Sequence, residues 1–181
     1  GCREPVIDAV IFNGTFENAQ KIRRRFDKKV LFIANGSGHN PIVVSYDANI
    51  SRAVFSAMKV QLYNQGEDCA GPNAILVHKM AYKKFCKKLK TEIKKVKIGH
   101  YKNKQNRIGP IGDYKDLEKV QKFLIDNAQW IDPDVEGVIH VKSRIIEPTI
   151  IFKPLKYGGN YIEQFAPVFF IQKYDKDEDL C

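Results

Sequence analysis

The chain has 181 residues, 44% of them hydrophobic, and a formal net charge of +9. That length suits one domain or two small ones with a real core, and no apolar run approaches the roughly 18 residues of a membrane span. The basic excess is local: Lys and Arg crowd residues 79–107, where Glu92 is the only acid, and aromatics are not interleaved with them as a nucleic-acid stacking platform requires. Neither a membrane nor a nucleic acid is therefore an expected partner.

In chain order, residues 6–12 (VIDAVIF) read as a buried strand, and Asn13-Gly14-Thr15 as a turn. Residues 16–26 suit a short helix and 30–33 a second strand, broken by Asn35-Gly36-Ser37-Gly38-His39-Asn40-Pro41. A third strand runs over 42–46. Asp47 or Asn49 caps the next helix, whose inner face carries Val54, Ala57, Met58 and Leu62. Asn64-Gln65-Gly66 stops it. The strand at 74–78 leads into a Lys-rich helix with Phe85, Leu89, Ile93 and Val96 on one face. The lysines then form its solvated side.

Residues 108–112 form a loop, and 114–128 a helix with Leu117, Val120, Leu124 and Ala128 on one face. Residues 137–141, 149–152 and 168–171 read as strands, with a turn at Gly158-Gly159-Asn160. Strands alternating with helices predict α/β architecture. The N-terminal run Gly1-Cys2-Arg3-Glu4-Pro5 has neither an initiator Met nor an apolar leader, so the chain is expected to be a piece of something longer.

Four cysteines, Cys2, Cys69, Cys86 and Cys181, show no CxxC or Cys/His spacing. No metal site is expected, and a reducing, cytoplasmic compartment fits best. Cys69 stands apart. It lies in Asn64-Gln65-Gly66-Glu67-Asp68-Cys69-Ala70-Gly71-Pro72, on a tight loop between a helix and a strand. A thiol placed there is a candidate nucleophile. The competing reading is a packing cysteine, since free Cys is among the most buried residue types. The adjacent carboxylates Glu67 and Asp68 disfavour a thiolate if they lie close to it.

Several segments, taken in order, resemble the aldehyde dehydrogenase superfamily. Asn64-Gln65-Gly66-Glu67-Asp68-Cys69 is similar to its catalytic-cysteine loop, and residues 35–41 to the segment the family writes Glu-Leu-Gly-Gly-Lys-Asn-Pro. Phe12-Asn13-Gly14-Thr15 is similar to its Phe-Thr-Gly-Ser turn, and Glu163-Gln164-Phe165-Ala166-Pro167-Val168 to its Glu-Ile-Phe-Gly-Pro-Val. Ile108-Gly109-Pro110 and Glu147-Pro148-Thr149 also fall where the family carries related runs.

The resemblance implies a three-layer catalytic domain over 34–181, preceded at 1–33 by the last β-α-β piece of a Rossmann-like cofactor domain. It implies NAD(P)-dependent oxidation of a small-molecule aldehyde to an acid through a thioester on Cys69, with NAD or NADP as cofactor. Glu163 and Phe165 match residues at the nicotinamide ribose and ring, and Gly14, Thr15 and Gly36 match positions beside the cofactor. The intact parent is expected to be a homo-oligomer. The first part of the cofactor domain and the family's oxyanion asparagine fall outside the matching portion.

Asn35 is the main departure, because the family's general-base glutamate belongs at that position and an amide accepts no proton. Three outcomes are compatible with it: slow deacylation, Glu67 as substitute base, or acyl transfer to a thiol such as coenzyme A. The last makes the chain a CoA-acylating relative. A further alternative is a dehydrogenase-fold domain kept for binding or assembly.

Overall fold

A computed structural model describes residues 7–180 and divides them into two compact units, up to Gly38 and from His39. The first unit is a strand–helix–strand. Strand β1 (Ala9–Asn13) and strand β2 (Leu31–Asn35) pair in parallel, Ala9 opposite Leu31 and Asn13 opposite Asn35. Helix α1 (Phe16–Arg23) connects them, and the Thr15 side chain caps it by accepting the Asn18 N–H at 3.3 Å. The helix is shorter than its apolar pattern predicts. The Arg23 guanidinium turns onto the carbonyls of Phe26, Asp27 and Lys28 and holds the chain in a turn there.

The first strand is not the buried one the sequence predicts. Val6 lies outside the described residues, and Ile11 is 68% and Leu31 59% exposed. Apolar residues on both faces of a strand signal a parallel sheet covered on both sides. Here Phe12 and Phe32 stack at 6.3 Å on the half-covered face, while the face of Ile11, Leu31 and Ile33 stays open among the described residues.

The second unit is built on a four-stranded, wholly parallel sheet in the order β3-β4-β8-β7. Strand β3 (Pro41–Val44) is an edge, where a first-residue proline costs no ladder bond. Helix α2 (Ile50–Gln61) follows, capped by Asn49, whose side chain accepts the Arg52 N–H at 3.1 Å. Next come β4 (Ala74–His78), α3 (Lys79–Ile93) and α4 (Tyr114–Asp126). A small hairpin pairs β5 (Ile139–His140) with β6 (Ile145–Ile146). Strands β7 (Thr149–Phe152) and β8 (Val168–Tyr174) complete the sheet.

Three layers result. Ile75, Val77, Ile150, Phe169 and Ile171 pack against Val54 and Ala57 of α2 and Ala81, Phe85 and Leu89 of α3. On the opposite face, Ile151, Val168 and Phe170 meet Leu117, Val120 and Leu124 of α4. The fold is α/β, as the strand–helix alternation predicts. No helix among the described residues is long and apolar enough to cross a membrane.

Candidate active site

In the second unit, the segments that matter converge at the amino ends of the parallel strands. Leaving α2, the chain passes through three successive left-handed residues, Asn64 (φ 45°), Gln65 (φ 58°) and Gly66 (φ 82°). Non-glycine residues rarely adopt this conformation, and Asn is the best tolerated. Asn64 stabilises the bend twice: its side chain donates to the Glu67 carbonyl at 3.0 Å, and its carbonyl accepts the Glu67 N–H at 2.9 Å.

Cys69 and Ala70 then form the centre of a tight turn. The Gly71 N–H donates to the Asp68 carbonyl at 2.9 Å, and the Asp68 carboxylate accepts the Ala70 N–H at 2.8 Å. Cys69 is exposed, so the thiol is open to a small molecule. One Asp68 oxygen is occupied by its own turn. Glu67 is tied elsewhere, with one carboxylate oxygen accepting the Gly112 N–H at 2.8 Å. Gly112 is itself held by the Arg144 guanidinium, which donates to its carbonyl at 2.7 Å.

Buried contacts bring the segment of Glu163 and Phe165 to this loop. The Gln61 side chain donates to the Ala166 carbonyl at 3.0 Å, and Gly66 lies directly on the Ala166 backbone. Glu163 is half-buried, while Phe165 is exposed with a left-handed φ of 46°. Asn40 donates from its side chain to the Cys69 carbonyl at 3.0 Å. Asn73 accepts the Asn40 N–H at 3.2 Å through its side chain and is itself bonded by the Asn160 side chain. Sequence reading missed Asn40, Asn73 and Asn160 as site residues, because their partners lie 29, 33 and 87 positions away.

The remaining predicted residues belong to the first unit, where Gly14, Thr15, Asn35 and Gly36 gather at the carboxyl ends of β1 and β2. The Gly14 N–H donates to the Asn35 carbonyl at 3.1 Å, and the Asn35 side chain donates to that of Asn13 at 2.8 Å. The end of a parallel pair, at a glycine turn opening a helix, is where α/β folds hold ligands. No group of three or more His, Cys, Asp or Glu among the described residues could hold a metal ion.

Cys86 is a contrasting thiol. It is buried on α3, and burial pushes its pKa from an ordinary 9.0 up to about 12, against the opposing pull of the Tyr82 hydrogen bond and the Lys90 charge. Burial also raises Tyr82 well above the tyrosine range. The folded state therefore holds the Cys86 proton more tightly than the unfolded chain. The resulting stability is complete below pH 9.0 and is lost as pH rises toward about 12. Near neutral pH, iodoacetamide should modify Cys69 and spare Cys86, read by peptide mass spectrometry. Equal rates at the two sites would remove the claim of Cys69 to special access.

An α/β layer fold that presents an exposed thiol on a clamped turn suits covalent thiol chemistry on a small substrate. The aldehyde dehydrogenase family model matches residues 2–181, and the chain belongs to that family. It is 29% identical over 175 residues to lactaldehyde dehydrogenase of Methanococcus aeolicus, covering 96% of this chain and 37% of that protein. It is 28% identical over 180 residues to the NADP(+) succinate-semialdehyde dehydrogenase GabD of Escherichia coli, covering 97% and 37%. The crystal structure of an aldehyde dehydrogenase from Brucella melitensis biovar abortus superposes with a TM-score of 0.82 at 24% identity, over 96% of this chain and 36% of that one. An NAD+ complex of the Bacillus cereus aldehyde dehydrogenase gives 0.81 at 22%, over 96% and 36%. The chain thus spans little more than a third of the length of these relatives.

Proposed function

We propose that the protein oxidises an aldehyde to an acid, with NAD or NADP as acceptor, and that Cys69 is its nucleophile. The observation that carries this reading is the exposed Cys69 on a hydrogen-bonded turn, in a loop whose root at Gly66 is seated on Ala166, the residue after Phe165. The Cys69 sulfur, its proton lost to solvent, adds to the aldehyde carbon and forms a C–S bond. The carbonyl oxygen becomes an oxyanion, and the donor assigned to it is the Cys69 backbone N–H. Hydride acceptance from that carbon is the chemistry a bound nicotinamide supplies. The carbonyl re-forms as a thioester on Cys69, and water releases the acid and returns the thiol.

The residues present fit a dinucleotide in part. Gly14 and Thr15 open α1 from the end of a parallel strand, and Gly36 follows the neighbouring strand end. Phe165 exposes its ring for a flat ligand, and Glu163 beside it suits a ribose hydroxyl. Asn35 replaces the hydrolytic base with an amide, so the proton of the attacking water must go elsewhere. Glu67 is the substitute: Gly112 fixes one carboxylate oxygen, and the other has no bonded partner among the described residues.

The same amide favours a second reading, in which coenzyme A takes the acyl group and needs less base assistance than water. Incubating the intact protein with aldehyde and NAD or NADP, with and without coenzyme A, separates the two. Turnover without coenzyme A is expected, and a strict coenzyme A requirement overturns the hydrolytic version. Should neither condition reduce the cofactor nor acylate Cys69, the dehydrogenase-fold domain is retained for binding or assembly.

A further inference from the structure

The turn that presents Cys69 is shaped by local bonds. The Gly71–Asp68 and Ala70–Asp68 contacts close it on itself. Such bonds fix the turn's internal form and say nothing of the direction in which it faces. That direction requires a tie from outside the turn.

The Asn40 side-chain amide supplies one, donating to the carbonyl of Cys69 itself at 3.0 Å. Asn40 is in turn a fixed platform. Pro41 follows it and starts β3, and the Asn40 backbone N–H donates to the Asn73 side-chain oxygen at 3.2 Å. Asn73 is buried at the entry to β4, and its carbonyl accepts from the buried Asn160 side chain. The Asn160 side chain also bonds the backbone of Ile162, donating to its carbonyl and accepting its N–H, both at 3.3 Å. A line of amides therefore runs from the Cys69 carbonyl, through the starts of two neighbouring strands, to the segment that carries Glu163 and Phe165.

The fold maintains this line at a cost. Among the described residues, the Asn73 side-chain N–H is buried without a partner, which costs on the order of 1–3 kcal/mol.

We propose that Asn40 is a positioning residue for the Cys69 thiol, with Asn73 and Asn160 as its footing. By holding the Cys69 peptide plane against the β3–β4 edge, Asn40 sets the direction of the Cα–Cβ bond and so the line of sulfur attack. It also keeps that line in register with the Glu163–Phe165 segment through Asn160. The proposal rests on the reading of Cys69 as nucleophile.

The test uses Asn40→Asp in the intact protein. This change keeps the shape of the side chain, deletes the donor and sets a carboxylate against the carbonyl. The expected result is a roughly tenfold fall in kcat with KM little changed. The limiting rate of Cys69 carboxamidomethylation should fall in parallel across its pH profile. Cys86 staying protected from the same reagent certifies that the domain is folded. Asn160→Asp cuts the line one link further from the thiol and should act in the same direction; it also serves as the test if Asn40→Asp fails to fold. Wild-type Cys69 alkylation and kcat in a folded variant overturn the proposal, even if melting temperature drops, because a merely structural role predicts that pattern. Failure of the nucleophile reading looks different: Cys69→Ser would retain turnover, and no acyl group would be found on Cys69.

Discussion

Cys69→Ser should reduce aldehyde-dependent formation of NADH or NADPH by the intact protein by about 10³-fold or more. A serine hydroxyl is a far weaker nucleophile than a thiol at neutral pH unless a base takes its proton. In the proposed reaction Glu67 serves the attacking water at the later step, and one Asp68 carboxylate oxygen is engaged by the Ala70 N–H, so no base is assigned to a hydroxyl at position 69. Mass spectrometry of protein quenched during turnover should find the acyl adduct on the peptide containing Cys69 and not on the one containing Cys86. A Cys69→Ser protein keeping more than a tenth of wild-type turnover would assign the chemistry to another group.

Gly66→Ala should be the most damaging single substitution in the loop. A Cβ there would come within 2.4 Å of the Ala166 carbonyl carbon and oxygen, and Gly66 has φ +82°. Neither a rotamer nor a flexible side chain can absorb a clash with backbone. Left-handed strain of about 1–2 kcal/mol adds to an overpacking cost of about 1–3 kcal/mol. The sum corresponds to a fall in Tm of roughly 5–15 °C for a domain of this size. Gly158→Ala is the control, since its φ is +91° but no atom lies within 4 Å of the added Cβ. It should lose only its own backbone strain, about 1–3 kcal/mol, because φ +91° with ψ 154° is a region open almost to glycine alone. Similar Tm losses in the two variants would show that the Gly66–Ala166 contact has little weight.

The strands of the second unit were legible wherever a short apolar run was bounded by turn residues. Ala74–His78 and Thr149–Phe152 have the bounds that their sequences predict. Asn49 was legible as a cap for the same local reason. Strand β8 runs past the predicted end at Ile171 because Gln172 is polar yet fully buried, its amide donating to the carbonyls of Lys153 and Gly158. A hydrophobicity pattern cannot register a polar residue whose amide N–H groups reach distant carbonyls. The two-residue pairing of β5 and β6 is too short to leave a periodic signal.

Around the candidate site, the divide is the same. The tight loop at Cys69 follows from adjacent residues. What holds the loop comes from Asn40, Gly112, Asn160 and Ala166, none of which is near it in sequence. The open face of Ile11, Leu31 and Ile33 was misread because apolar content reports what a strand is made to meet, not what it meets within these residues.

The seating of Gly66 on Ala166 has a consequence for motion. An exposed loop ordinarily frays at little free-energy cost, well before the domain melts. This one is anchored at its root to two buried residues, Gln61 and Ala166, whose release requires opening the sheet-end packing. Its opening is therefore cooperative with the core, and slow amide exchange should extend from β8 out to the bend beneath the thiol. Heating should not produce a state in which the body of the domain is intact and the reactive turn has come loose.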